Sequence, residues 1–185
     1  MISDQQILQA AIEVLRADFS APLEVIADKA GINRRTLYRR YRDRDQLILA
    51  CKKEMMLICK AAMNLAYNSD KQPLKQLESM LYAGIDCNYK YAFLNNLQQR
   101  EQPKLFSDHD KGDLNDNVKV KWHKIVISLQ KEGVISKDIS VYWIFFLFDG
   151  MISTTITAME SGDVDINDIK RYAWDSFARS IGIIL

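Results

Sequence analysis

Cysteine, histidine, proline and glycine are all scarce in this chain, with three, two, three and seven residues among 185. Cys51, Cys59 and Cys87 form no CxxC pair and their number is odd, which excludes a disulfide framework and a zinc-finger spacing and leaves free thiols in a reducing cytoplasm as the simplest reading. Each is expected to serve as a small buried hydrophobe. His109 and His123 lack partners at metal-ligand spacing, so neither a metal nor another cofactor is expected. No Ser/His/Asp grouping, carboxylate pair or Gly-rich phosphate loop stands at a convincing spacing, which argues against an enzyme. The first residues, MISDQQILQAAIEVL, have neither a basic leader nor a small-residue cleavage site, so a signal peptide is not expected. A net charge of +1 gives no overall field to attract nucleic acid.

Strand-like alternation is missing too. Apolar residues instead recur at the helical period, and the chain reads as all-α with about nine helices. The expected spans are Asp4 to Ala17 capped by Ser3, Leu23 to Ala30, Arg34 to Arg42, and Asp43 to Tyr67 behind an Asp43…Gln46 capping box. Further helices are expected from Leu74 to Asn88, on to Arg100, and from Asp113 to Glu132, Ile139 to Glu160 and Asn167 to Ile181. Between them, Gln102 to Gly112 reads as a loose segment. The stretch VYWIFFLFDGMISTTITAM, Val141 to Met159, is long enough to span a bilayer, but Asp149 and a run of hydroxyl residues fit a helix buried on most sides in a protein interior better.

One window breaks the even charge balance. From Lys29 to Arg44 there are seven basic residues, six of them arginine, and a single acid, Asp43. That window carries +6, and the other 169 residues together carry −5. It lies within LEVIADKAGINRRTLYRRYRDRDQL, Leu23 to Leu47. Ala27 is small enough for close helix crossing, Gly31 follows four residues later where a tight turn wants positive φ, and Leu37 points back into the wedge with Ile26 and Ile32. This is the spacing of a helix-turn-helix. Asn33 is a good N-cap, yet Arg34 and Arg35 follow it, where the positive end of the helix dipole disfavours cations. They make sense if an external anion, a DNA phosphate or a guanine edge, faces them. Tyr41, one turn after Leu37, is expected in the core, and Tyr38 at the surface.

Ile26-Ala27, Ala30-Gly31-Ile32, Thr36-Leu37-Tyr38, Tyr41 and Asp43-Arg44-Asp45-Gln46-Leu47 resemble the conserved stretches of the TetR (tetracycline repressor) family. The resemblance implies a helix-turn-helix DNA-binding domain over residues 1–47 and a helical effector-binding and dimerisation domain over residues 48–185. It implies phosphate contacts from Thr36, Tyr38, Arg40 and Arg44, with Arg34, Arg35 and Arg39 left for base edges. Two positions depart from the pattern: Pro22-Leu23 replaces a usual hydroxyl residue, and Arg35 replaces a small one. The implied partners are a palindromic double-stranded DNA operator, a small effector, and a second copy paired through the helices at 139–160 and 167–181. An effector of apolar or aromatic character would meet a wall drawn from Met56, Met63, Met80, Tyr82, Tyr89, Phe93, Trp122 and Phe146. The function so implied is a transcription regulator, a repressor released by its effector. A helical protein acting through a protein partner, and a carrier of a hydrophobic ligand, are the competing readings.

Overall fold

Helix boundaries follow from local chemistry. In the computed structural model, which describes residues 2–95 and 117–184 (side chains at 88–95, 166 and 167 excepted), all regular structure among the described residues is helical. The eight helices are α1 Asp4–Ala17, α2 Leu23–Lys29, α3 Arg34–Arg40, α4 Arg44–Asn68, α5 Pro73–Asn95, α6 Val118–Lys131, α7 Val141–Ser161 and α8 Ile166–Ser180. Ser3 caps α1 through a full capping box with Gln6. Asp43 Oδ1 accepts the Gln46 amide at 2.8 Å, but the Gln46 side chain turns back to the Arg42 amide, so the expected box is only half formed. The ninth helix rested on a break near Asn88. α5 instead runs unbroken, because no proline or glycine interrupts it between Ile85 and Asn95. The continuation to Arg100, the loose segment Gln102 to Gly112 with His109, and the start at Asp113 lie outside the described residues.

The chain forms two units, the first built on the residues through Ile58, the second on Cys59–Lys90 and the helices from Val118 onward. α4 contributes to both. In the first unit Ile7, Ala11 and Leu15 of α1 share a core with Leu23, Ile26 and Ala27 of α2, Leu37 of α3, and Leu47 and Cys51 of α4. Burial pushes the Cys51 thiol up to about 12. Tyr41 is half-buried at the edge of this unit, and burial raises its phenol too.

The second unit is larger and more aromatic. Leu77, Met80, Leu81 and Ile85 of α5 pack with Trp122, Ile125, Val126 and Leu129 of α6, Ile144 and Phe148 of α7, and Ala173, Trp174 and Phe177 of α8. Phe148 meets Phe177 edge-on at 5.5 Å and Trp122 at 5.7 Å. α5 and α7 approach so closely at Gly84 that a Cβ there would lie 2.5 Å from Ile152 Cδ1. Gln130 is a buried polar residue whose amide is satisfied: Nε2 donates to the carbonyls of Ser136 at 3.0 Å and Ile139 at 2.8 Å. Lys170 pairs with Asp86 at 2.7 Å, tying α8 to α5.

α7 departs from expectation. By length and composition it could cross a membrane, with a mean hydropathy of 1.4, yet only 17% of that window is buried within the chain. Ile144, Phe148 and Thr155 face inward, whereas Tyr142, Trp143 and Phe146 are 64%, 59% and 51% exposed. Burial on most sides is not met within this single chain. All-round apolarity signals that a helix needs covering, and does not say by what. On α8, Ala173 and Phe177 are buried as expected, as is Ile181 just past its end, but Tyr172 is 48% exposed.

Candidate nucleic-acid interface

The turn between α2 and α3 is a Schellman motif. The Ile32 amide donates to the Ala27 carbonyl and the Gly31 amide to the Asp28 carbonyl, both at 3.0 Å, while Gly31 takes φ +65°. These bonds satisfy the last carbonyls of α2 and reverse the chain in three residues. Ala27 is 1% exposed at the crossing, and Leu37 and Ile26 fill the wedge at 0%, with Ile32 half-buried. Asn33 Oδ1 accepts the Thr36 amide at 2.8 Å and starts α3. α2 begins less firmly: its N-cap is Pro22, and no side chain caps it.

With Leu37 as its only buried residue, α3 presents most of its surface outward. Its arginines divide by what they touch. Arg34 reaches Glu24 of α2 at 2.7 Å and lies over the Tyr38 ring at 5.1 Å. The Tyr38 hydroxyl, then Glu24, hold its guanidinium more firmly protonated than usual. Arg35 and Arg39, one turn apart, are exposed, and no hydrogen bond or ion pair to either is found among the described residues. Thr36 is half-buried and Tyr38 is 37% exposed, the latter as expected.

Arg40 and Arg44 are occupied. Arg40 pairs with Asp4 at 2.6 Å and donates to the Ile2 carbonyl at 2.9 Å, fastening the end of α3 to the start of α1. Arg44 donates to the carbonyls of Ala21, at 2.6 Å, and Phe19, and lies 5.4 Å over the Phe19 ring, pinning the α1–α2 connection to the start of α4. In that connection Asp18 accepts from the Ser20 hydroxyl and amide, which holds its carboxyl below the ordinary value. These partners lie 23 to 38 residues away in sequence, and local spacing carries no sign of them. What remains turned outward is a cationic face, Arg35 and Arg39 flanked by the Arg34–Tyr38 stack, on a helix held by its neighbours. Such a face suits phosphate oxygens and base edges.

Comparison with known proteins agrees. Residues 7–51 match the family described as "Bacterial regulatory proteins, tetR family". Over those 45 residues the chain is similar to the tetR family of bacterial regulatory proteins. The described residues take the fold of solved regulators of this kind. The TetR-like transcriptional regulator LfrR from Mycobacterium smegmatis, in complex with proflavine, superposes with a TM-score of 0.64 at 19% identity, over 98% of this chain and 96% of that one. The fatty acid degradation regulator FadR from Bacillus halodurans gives 0.69 at 14% identity, over 94% and 93%. The TetR transcriptional regulator SCO0520 from Streptomyces coelicolor gives 0.59 at 19%, over 97% and 98%. Among curated proteins no sequence match is found. The matched segment and the fold support a DNA-binding regulator.

The tetR-type second unit does not gather the expected effector wall into one place. Met80 is fully buried in the core, Met63 packs against that core, and Met56 and Phe146 are exposed at 63% and 51%. Tyr82 donates to Glu78 Oε1 at 2.8 Å, and burial raises its phenol. The side chains of Tyr89 and Phe93 lie outside the described residues. Of the six whose side chains are described, Trp122 alone lines the cavity of about 370 Å³ that opens between α6 and α7. The other lining residues, Lys119, Val120, His123, Lys124, Val141, Tyr142 and Phe145, were missed. Their signal in the sequence is KVKWHK, basic residues around one tryptophan, which sits in a helix of mixed charge and does not stand out.

Proposed function

We propose that this chain is a cytoplasmic transcriptional repressor that grips a palindromic operator as a homodimer and releases it when a small, largely apolar effector binds the second unit. The observation that carries the reading is the pair Arg35 and Arg39, exposed on a helix whose other arginines are engaged, in a window of net charge +6. Arg34, Arg35 and Arg39 read base edges, and Thr36 and Tyr38 meet phosphates. Arg40 and Arg44 reach phosphate only by exchanging the bonds they now make, so their part in affinity is smaller than that of Arg39.

Two recognition helices meet successive major grooves when their half-sites lie ~34–36 Å apart, which requires two copies of the chain. The uncovered aromatic residues of α7 and α8, Trp143, Phe146 and Tyr172, supply the apolar surface for that pairing. LfrR in its proflavine complex is a chain of this fold that holds an aromatic small molecule, which supports an effector of similar build here. Effector and operator favour different states, so each weakens the other by the same factor.

The test is binding to operators selected from random DNA, titrated against salt. A DNA reader loses affinity linearly on a logarithmic salt scale, with a slope that tracks its phosphate contacts. A flat salt response, or no enrichment of any sequence, would leave a helical protein acting through a protein partner as the better reading. The uncapped α2 start at Pro22, without a hydroxyl to offer phosphate, is the feature that favours that second reading.

A further inference from the structure

We infer that the cavity between α6 and α7 takes a small organic anion with a flat apolar body. The inference rests on the reading of the second unit as the effector-binding part, and adds to it the charge and shape of the ligand. At about 370 Å³ the cavity falls within the roughly 300–1,000 Å³ of small-molecule sites. Its walls divide by chemistry. Trp122, Tyr142 and Phe145 give aromatic surface, with Trp122 and Phe145 packed edge to face at 5.2 Å. Lys119, His123 and Lys124 give a basic rim from successive turns of α6, and all three are exposed. No Asp or Glu is among the described lining residues.

Two further observations point the same way. α6 starts with Val118, Lys119, Val120 and Lys121 and has no acid in its first turn, so lysines sit at the positive end of the helix dipole. Lys121 is directed elsewhere: its Nζ donates to Asn64 Oδ1 at 2.7 Å and lies over the Tyr67 ring. Trp122 is 4% exposed, and its indole N–H has no acceptor among the described residues. Buried donors of this kind are normally satisfied. A carboxylate or sulfonate brings acceptors to a wall whose charged groups are donors and whose remainder is largely apolar. A cation, by contrast, would meet like charge on the rim.

Three probes of one shape test the charge: naphthalene-2-carboxylate, 2-naphthalenemethanol and 2-naphthylmethylammonium, each titrated calorimetrically into the full chain without DNA. The carboxylate should bind about tenfold tighter than the alcohol, with the ammonium weakest. The preference should vanish in the double variant Lys119→Gln, Lys124→Gln, and persist in Lys137→Gln, an exposed lysine outside the cavity. All three positions are exposed, so the fold is not at risk. Equal binding of the three probes, tighter binding of the ammonium, no carboxylate binding at millimolar concentration, or a preference that survives the double variant would each overturn the inference. Operator binding of the unliganded chain is measured in parallel. Its absence would sink the regulator reading and leave the charge preference standing, so the two failures are distinguishable.

Discussion

α3 and α7 both turn most of their residues away from their own core, for opposite physical reasons. α3 is seven residues long, buries only Leu37, and exposes arginines that water solvates well. α7 is 21 residues long, buries Ile144, Phe148 and Thr155, and exposes Tyr142, Trp143 and Phe146, which water does not favour. A charged face can wait uncovered for a polyanion at no cost in solubility, whereas an aromatic face of that size invites permanent cover. The difference teaches that exposure by itself does not identify a binding surface. The solvation of what is exposed separates a partner met occasionally from one kept.

That contrast can be broken most sharply at α7. Trp143→Glu with Phe146→Glu should convert a dimer to a monomer at micromolar concentration, since burial of these rings on both copies contributes on the order of 5 kcal/mol. Sedimentation equilibrium reads the result, and an unchanged mass would mean that α7 is not the paired surface. Next in size is Leu37→Ala, which should lower unfolding stability by about 3 kcal/mol in urea, because it empties the wedge that seats α3. A loss as small as that of a surface substitution would show that α3 is not held through Leu37.

Smaller effects separate the arginines of α3. Arg39→Ala should cost roughly 1–3 kcal/mol of operator affinity and relax preference at one base pair, read by binding to single-substitution operators. Arg40→Ala should weaken all operators about equally and also lower stability by up to ~1 kcal/mol, because its ion pair with Asp4 is largely exposed on the acid's side. Asp4→Asn should reproduce the stability loss and spare the operator. If Asp4→Asn leaves the fold unaffected while Arg40→Ala destabilises it, the Ile2 carbonyl rather than the ion pair holds Arg40. The smallest effect concerns Cys51. Its thiol is held at about 12 against an ordinary 9.0, so the folded chain keeps its proton where the unfolded chain has lost it. The stability from this residue is complete below pH 9 and declines as pH rises from 9.0 towards about 12. Native Cys51 should therefore resist alkylation at pH 8 and react once the chain is unfolded.

Much of the architecture was legible because it is written in short spacings. The Ser3 and Asn33 caps, the positive φ of Gly31, and the inward turn of Leu37 each depend on residues within ten positions of one another. The charge excess from Lys29 to Arg44 is likewise local in sequence, and it lies inside the segment that matches the tetR family. Among the described residues the break expected near Asn88 is absent, since α5 continues through it to Asn95.

Contacts of long range were not legible. Sequence placed seven residues toward DNA, four for phosphates and three for base edges, and only the tertiary structure showed that Arg35 and Arg39 are turned outward while Arg40 and Arg44 are bonded to carbonyls and to Asp4. The same holds for the cavity, where lysines and aromatic residues from two helices 20 residues apart meet across a gap that no single helical period describes. By itself the sequence determined an all-helical chain with a basic reading helix, since caps, turns and periodicity act between near neighbours. The tertiary structure decided which of its arginines are spent on the fold and which face of α7 is left bare, since those depend on what the rest of the chain brings alongside.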